Sequence, residues 1–388
     1  MKLNYGLHLA YCTNIHRGES WQQTFEVLQQ YTLAVKERVC PKGPYAIGLR
    51  LSDLASRELN DHQTLLSFKR WLDQNHCYVF TINGFPYGRF HGGPVKEKVY
   101  WPDWTTPERL AYTNRLFDIL AQLLPVGVEG SVSTVPGSFK EFIKTPDQLK
   151  AIRGNIWHCV EHVARVSQQT GRTMHLGLEP EPLCLLETST ETVYFFDRLR
   201  AEHNRDPRLF EFLGVNYDTC HLAVEFEEPA NALYNFQQHQ IKISKLHLSS
   251  ALKVVPTPEA CEELKKFVED VYFHQVIVRE ENGQLLAYRD LPDVLMQRAP
   301  NPAEEWRIHF HVPLHSPANA LFGNTTDHLT GVLDILAGNP QLCSHLEMET
   351  YTWEVMPDEM KNRNVVDQLV GEYDWCLDQL AQRGLAQR

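Results

Sequence analysis

The chain has 388 residues, enough for one large α/β barrel or two ordinary domains. Hydrophobic residues make up 43% and charged residues 22%, which supplies a substantial core and excludes wholesale disorder. Lys+Arg 37 against Asp+Glu 49 gives a formal charge of −12, which disfavours a phosphate backbone as the main partner, although a small local basic groove stays open.

The nine cysteines (Cys12, Cys40, Cys77, Cys159, Cys184, Cys220, Cys261, Cys343 and Cys376) are scattered singly, without a C-x-x-C pair. A disulfide framework or a Cys-based zinc site is therefore not expected, and a reducing cytoplasm is. The opening MKLNYGLHLAYC has no long apolar stretch and no small-residue cleavage site, so it is expected to be a first strand rather than a signal peptide. No run approaches the roughly 18 apolar residues of a membrane span.

Short apolar runs alternate with amphipathic segments, the pattern of parallel βα units. The first strand is expected at Leu3–Leu9, before a helix that Ser20 caps and that carries Trp21, Phe25, Leu28 and Val35 at helical spacing. Strand two, Ala46–Leu51, precedes a helix at His62–Asn75. Strand three, Tyr78–Asn83, runs into NGFPYGRFHGGPVKEKVYWPDW, rich in Gly, Pro and aromatics as active-site loops often are. Pro107 opens the next helix, which ends near Leu124. Strand four is GSVSTV, a helix covers Asp147–Gln168, strand five is Met174–Glu179, and a further helix runs from Thr188 to Asn204. Strand six is Phe212–Tyr217, and a helix near Glu228–Gln238 leads to strand seven, Ile243–Leu248.

Arg307–Val312 and His345–Glu349 both have strand character, one strand more than a barrel needs. The stretch 251–306 holds a helical segment, Glu259–Val271, and a hairpin of HQVIV and QLLAY whose Asn-Gly suits a type I′ turn. It is expected to be an insertion in the loop after strand seven, with Arg307–Val312 returning the chain to the barrel mouth. Asp327–Ala337 is then helix seven, His345–Glu349 strand eight, and 362–388 holds a closing helix. Residues 1–388 thus form a single (β/α)8 TIM barrel. An open doubly wound sheet is the weaker choice, because no G-x-G-x-x-G follows the first strand.

In such a barrel, polar residues at the C-terminal strand ends converge on one mouth. Glu179 ends strand five, Asp218 and His221 follow strand six, His247 lies in strand seven and Glu349 ends strand eight. Glu179, Asp218, His247 and Glu349 are expected to hold a divalent ion such as Mn, Mg, Co or Zn. Without one, the carboxylates would repel each other and need raised pKa values. Any one of these residues alone has a plainer explanation, a helix cap or a hydrogen-bonded core histidine; four strand ends together do not. His309 and His311 in HFHVPLH point to one side of an extended segment, as ligands of a second metal or as groups that orient a substrate. Asn83, Phe85 and Tyr87 after strand three and Trp353 after strand eight are the substrate-binding candidates, although such aromatics also seal barrels. Glu181 and Glu347 are read as neighbours of the ligands. Cys220 beside His221 does not make a dyad, and neither a G-x-S-x-G elbow nor a P-loop is present.

The order of these residues resembles the xylose-isomerase-like barrel superfamily, which includes sugar isomerases, epimerases and the family-two apurinic endonucleases. Its pattern of a Glu after strand five, an acid with His three later after strand six, an acid or His at strand seven and an acid at strand eight falls on Glu179, Asp218 with His221, His247 and Glu349. The pair that holds further metal in several members is similar to His309 and His311. More narrowly, NGFPYGRFHG, LGLEPEP, NYDTCHLAVEFE and HLEMETYTWEVMP resemble the metabolite-traffic barrel proteins of ebo-type gene clusters. That resemblance implies a cytoplasmic role in secondary-metabolite precursor processing or traffic, with a small-molecule metabolite and partner proteins of the same pathway. The endonucleases supply further histidines from early strands, whereas TINGFP and STVPG offer none.

The resulting expectation is a metal-dependent isomerase or epimerase acting on a polyhydroxylated or hydroxy-carbonyl small molecule. The ion would bind adjacent substrate oxygens, Glu179 and Glu349 would exchange the proton on carbon, and His221 would position an oxygen. A non-catalytic carrier barrel is the alternative, and an endonuclease-like phosphodiesterase a more distant one.

Overall fold

Segments such as AIGLR and VFTIN are apolar on both faces, which suits strands covered on both sides. The computed structural model, which describes residues 1–357, 361 and 364–387, places them in a parallel barrel. The strands in chain order are β1 (His8–Tyr11), β2 (Tyr45–Arg50), β3 (Cys77–Asn83), β4 (Gly130–Thr134), β5 (Met174–Leu178), β6 (Leu213–Asp218) and β7 (Lys242–Leu248). They are followed by β8 (Ala251–Val254), β9 (Val276–Arg279), β10 (Leu285–Tyr288), β11 (Glu305–His311), β12 (Phe322–Asn324) and β13 (His345–Met348). An 8-stranded sheet runs β1-β13-β7-β6-β5-β4-β3-β2, and a parallel bridge between Cys12 and Gly48 brings its two edges together. Leu9, Ile47, Ile82, Val132, Leu176, Val215, Leu246 and Leu346, one from each barrel strand, are all buried. Each contributes about 1.5–3 kcal/mol relative to exposure.

The helices between these strands start where their caps dictate. Ser20 and Thr145 make capping boxes with Gln23 and Gln148, and Pro107, Pro146 and Pro229 occupy first-turn positions that need no N–H donor. The barrel therefore has the expected architecture, and its helices lie outside the strands as the alternating pattern requires.

The first strand is displaced from its expected Leu3–Leu9. Asn4–Gly6 forms a tight turn in which Tyr5 (φ 57°) and Gly6 (φ 80°) adopt left-handed conformations, so pairing starts only at His8. The segment after β7 forms a second, 5-stranded antiparallel sheet in the order β10-β9-β11-β8-β12. It reaches Asn324, past the 251–306 boundary, and β11 is one of its inner strands, paired to both β9 and β8. The β9–β10 turn is not type I′, because only Gly283 has a positive φ (84°). Gly283 N donates to Glu280 O across a type I turn, and the left-handed glycine makes the bulge that corrects the strand twist. The helix expected at Glu259–Val271 stops at Leu264, with a 3-10 turn to Phe267.

The closing helix is Val365–Gln382; positions 362, 363 and 388 of its expected span lie outside the described residues. Its buried Glu372 ties it to the mouth. Glu372 Oε1 accepts from Thr350 Oγ1 (2.6 Å) and from Leu314 N (3.3 Å), and burial pushes its carboxyl from 4.5 up to about 7. In the unfolded chain this group ionises near 4.5, whereas in the fold it stays protonated to about 7. Stability should therefore fall as pH rises through that window and level off above it, by up to about 3 kcal/mol from this group. Urea unfolding at pH 5 and pH 7.5 should show Glu372→Gln gaining on the wild type at the higher pH; an equal difference at both would contradict this.

Candidate metal centre at the barrel mouth

Four barrel strands bring their last residues to one point. Glu179 follows β5, where its N–H continues the ladder by donating to Thr134 O (3.1 Å). Asp218 ends β6 and caps the short helix Thr219–Val224. Its Oδ1 accepts from Cys220 N (2.7 Å), His221 N (3.0 Å) and Ser249 Oγ (2.6 Å). Glu349 follows β13, with its N–H on Leu248 O (3.1 Å), and its Oε1 accepts from Asn14 Nδ2 (2.7 Å) and Asn83 Nδ2 (3.2 Å). His247, from β7, stands among them with Nδ1 at 2.8 Å from Glu179 Oε1, 3.2 Å from Glu349 Oε2 and 3.5 Å from Asp218 Oδ2. Glu179, Asp218, His247 and Glu349 are all buried, and each offers one atom within 4.8 Å of the others'.

His247 is aimed from behind. Its Nε2 lies 2.7 Å from Glu347 Oε2, which also accepts from Lys245 Nζ (2.5 Å), and Lys245 in turn donates to Ser133 Oγ (3.0 Å). Burial raises Glu347, but the Lys245 ammonium and His247 outweigh it and hold the carboxyl at about 2. Gly48 makes room for this group: a Cβ there would fall 2.0 Å from Glu347 Oε1. Burial alone would lower His247, yet Glu349 and Glu179 carry it well above the usual imidazole range. Asp218, despite burial, is held well below the carboxylate range by His221 and His247.

Three further imidazoles form the adjoining wall. His221 Nδ1 donates to Pro180 O (3.0 Å), His309 Nδ1 to Gln275 Oε1 (2.7 Å) and His311 Nδ1 to Glu349 O (2.9 Å). In the His221 and His311 rings the Nε2 lone pair is left for another partner, the arrangement that fixes a metal-ligating tautomer, whereas His309 Nε2 meets Tyr351 Oη at 3.4 Å. The His221 ring lies 4.6 Å from that of His309 and 5.5 Å from that of His311. Burial lowers both His221 and His309. Asp218, His221 and His311 form a second group of ligand type that shares Asp218 with the first, and Cys220 lies with His309 and His311 in a third.

Glu179 Oε2, Asp218 Oδ2 and His311 Nε2 are buried without a hydrogen-bond partner. Unpaired carboxylate oxygens beside an imidazole nitrogen are costly in a dry site and fit a divalent cation. Glu179, His221, His309 and Glu349 open onto a narrow cavity of about 50 Å³, and Asp218, His247 and His311 lie behind that surface. Asn83 and Phe85 line the cavity. Tyr87 does not: it packs edge-on against Tyr112 (5.0 Å) with the Arg109 guanidinium 5.7 Å from its ring, sealing the outside of the barrel. Trp353 borders a separate surface cleft with Arg17 and Glu354, because the turn Tyr351–Val355 presents Tyr351 to the cavity and its i+2 neighbour elsewhere. Sequence reasoning missed Asn14, Tyr100 and Tyr272. Only Asn14 left a signal, as a polar residue just after the first strand.

A parallel barrel with a Glu-Asp-His-Glu cluster at its C-terminal mouth is the class that fold and site define. No family model matches the chain, and no curated protein sequence does. Solved structures do. The IolI protein with a zinc atom is 12% identical, with TM-score 0.52 over 97% of this chain and 99% of that one. L-ribulose 3-epimerase is 11% identical, with TM-score 0.50 over 97% and 96%. A xylose isomerase-like TIM barrel protein from Mycobacterium smegmatis in complex with magnesium is 11% identical, with TM-score 0.51 over 97% of each chain. At these identities the likeness is one of fold alone, a TIM barrel like those of these proteins.

Metal uptake should reveal the protonated His247. Titration of metal-free protein with Zn²⁺ or Mn²⁺ in buffers of different ionisation enthalpy should show proton release, with affinity rising with pH because the ion and the proton compete for His247. Affinity independent of pH between 6 and 8 would contradict this. Glu347→Gln, which keeps the shape but removes the charge behind His247, should weaken the ion about 10–100-fold in a chelator competition; unchanged affinity would show that Glu347 does not tune the ligand.

Proposed function

We propose that the protein is a divalent-metal-dependent isomerase or epimerase acting on a small hydroxy-carbonyl metabolite. The observation that carries this reading is the buried group Glu179, Asp218, His247 and Glu349, with Glu179 Oε2 and Asp218 Oδ2 unpaired, one at the surface of a narrow cavity and one just behind it. A bound divalent ion would supply Lewis-acid polarisation of adjacent substrate oxygens. Glu179 and Glu349 face the cavity together, the pairing that general acid–base work requires. One carboxylate takes the proton from the carbon beside the carbonyl. The other returns a proton to the neighbouring carbon in an isomerisation, or to the opposite face of the same carbon in an epimerisation. His221, its Nδ1–H committed to Pro180 O, presents Nε2 to position a substrate hydroxyl.

Zinc in the IolI structure, magnesium in the mycobacterial barrel protein and epimerase activity in the L-ribulose enzyme's name support the reading by analogy of fold. The resemblance to ebo-type barrel proteins supports a role in processing or passing on a secondary-metabolite precursor in the cytoplasm, beside proteins of the same pathway. Endonuclease chemistry is disfavoured: the early strand ends carry Asn14, Asn83 and Thr134 rather than imidazoles, and the cavity is narrow. The enclosure of the cavity also suits a carrier that holds the same molecule without turnover.

Elemental analysis of purified protein should find about one divalent ion or more per chain. With the ion loaded, candidate hydroxy-carbonyl metabolites should take up deuterium from D₂O at the carbon beside the carbonyl. Glu179→Gln should slow that exchange by about 10²–10⁴-fold. Metal-dependent binding with no exchange would select the carrier, and neither metal nor exchange would refute the enzyme.

A further inference from the structure

The cavity above the proposed metal group is divided by chemistry. Its polar part holds Asn14, Asn83, Glu179, Glu181, His221, His309 and Glu349. Its walls are Phe85, Phe90, Tyr100, Tyr272, Phe273 and Tyr351, supplemented by Pro86, Val95 and Val99. The aromatic rings support one another: Phe90 lies 5.1 Å from Tyr272 and 5.2 Å from Tyr351, and Phe85 lies 5.8 Å from Tyr100.

The polar atoms on the walls are already committed to the protein. Tyr100 Oη donates to Glu181 Oε1 (2.7 Å) and accepts from Gln275 Nε2 (2.8 Å). Tyr272 Oη donates to His91 Nδ1 (2.5 Å), whose other nitrogen donates to Asn14 O (2.5 Å). Tyr351 Oη reaches His309 Nε2 (3.4 Å), and Lys96 Nζ is held by Asp290 Oδ2 (2.7 Å) and Glu269 O (3.0 Å). Among the described residues lining this cavity, the buried unpaired side-chain atoms are Asn14 Oδ1 and Glu179 Oε2, both in its polar part; behind them lie Asp218 Oδ2, Asn216 Oδ1, His311 Nε2 and Glu347 Oε1. A chain of hydroxyls reaching up from the floor would lose its water and find no partners, at a cost for each. A ring or other apolar body would instead bury its surface against aromatic faces.

We infer that the substrate of this site is an amphiphile: adjacent oxygens at one end, held at the Glu179–Asp218–His247–Glu349 floor, and an aromatic or similarly apolar body between Phe90, Tyr272 and Tyr351. The inference rests on the metal-dependent reading for its oxygen-bearing head and on the wall alone for its body. The free polyhydroxylated chain of a sugar is the wrong complement. Phe85, Phe90, Val95 and Val99 all ride on the loop 84–106.

Mandelate and glycolate carry the same chelating hydroxy-carboxylate, and only mandelate adds a ring; erythronate adds hydroxyls instead. On Mn²⁺-loaded protein, calorimetry should show mandelate binding about ten-fold or more tighter than glycolate, with erythronate no tighter than glycolate. Phe90→Ala should erase the mandelate advantage and leave glycolate within about two-fold. Equal affinities for mandelate and glycolate, erythronate as the tightest ligand, or ion uptake with no binding of mandelate would each overturn this inference while leaving the metal group standing. If no ion binds, the metal-dependent reading falls, and metal-free protein decides the body: saturation transfer to the ring protons of benzyl alcohol but not to glycerol, lost in Phe90→Ala, supports it, and its absence overturns it.

Discussion

His247 has carboxyl groups on both sides. Glu347, anchored by Lys245, holds its Nε2 from beneath the mouth, and Glu179, Glu349 and Asp218 crowd its Nδ1 from above. Four buried carboxyl groups therefore share one ammonium and one imidazole, in a space where charge is poorly screened. Such a group is stable only if a cation sits in it. In the metal-free protein Glu349 and Glu179 favour the protonated form of His247 against the effect of burial. A divalent ion can take the proton's place because the oxygens are already gathered. The preparation is electrostatic before it is geometric.

The two sheets divide the remaining work. The barrel supplies the charged floor, and its strand ends fix that floor through backbone ladders that involve most of the chain. The second sheet reaches over the mouth and supplies His309, His311, Gln275 and the aromatic roof around Tyr272. Loop 84–106 closes the remaining side through bonds to the second sheet and the segment before it: Val95 N and Lys96 N on Val271 O, Lys96 on Asp290 and Glu269 O, Gln275 on Tyr100, and Tyr272 on His91. None of these bonds belongs to a barrel ladder.

The barrel was legible in the sequence because alternating βα periodicity is local, and so were Glu179, Asp218, His247 and Glu349, because each closes or follows an apolar run. What lay beyond the sequence depended on contacts distant along the chain. Nothing near Glu347 announces Lys245, more than a hundred positions earlier, and nothing near Gly48 shows that its missing Cβ makes room for Glu347. The register of the first strand was misjudged because Tyr5 takes a left-handed conformation that no local pattern marks. Two of the aromatic candidates face away from the cavity for a related reason. Tyr87 and Trp353 lie in suitable loops, but which side of a loop faces inward is settled by partners such as Tyr112 and Arg109, which periodicity does not reveal.

Asp218 links the two halves of the polar floor. With Oδ1 fixed by Cys220 N, His221 N and Ser249 Oγ, only Oδ2 is left to meet an ion, and that atom faces His247 on one side and His221 on the other. The halves differ in character. Glu179, Glu349 and Asp218 around a single imidazole are a donor set that would suit a hard ion such as Mg²⁺ or Mn²⁺, whereas His221 with His311 and the same Asp218 would suit Zn²⁺ or Co²⁺. In these rings each Nδ1–H is spent on a carbonyl oxygen, which turns Nε2 toward the mouth. An ion bound there would meet groups already oriented by the carbonyls behind the histidines and the ammonium behind Glu347.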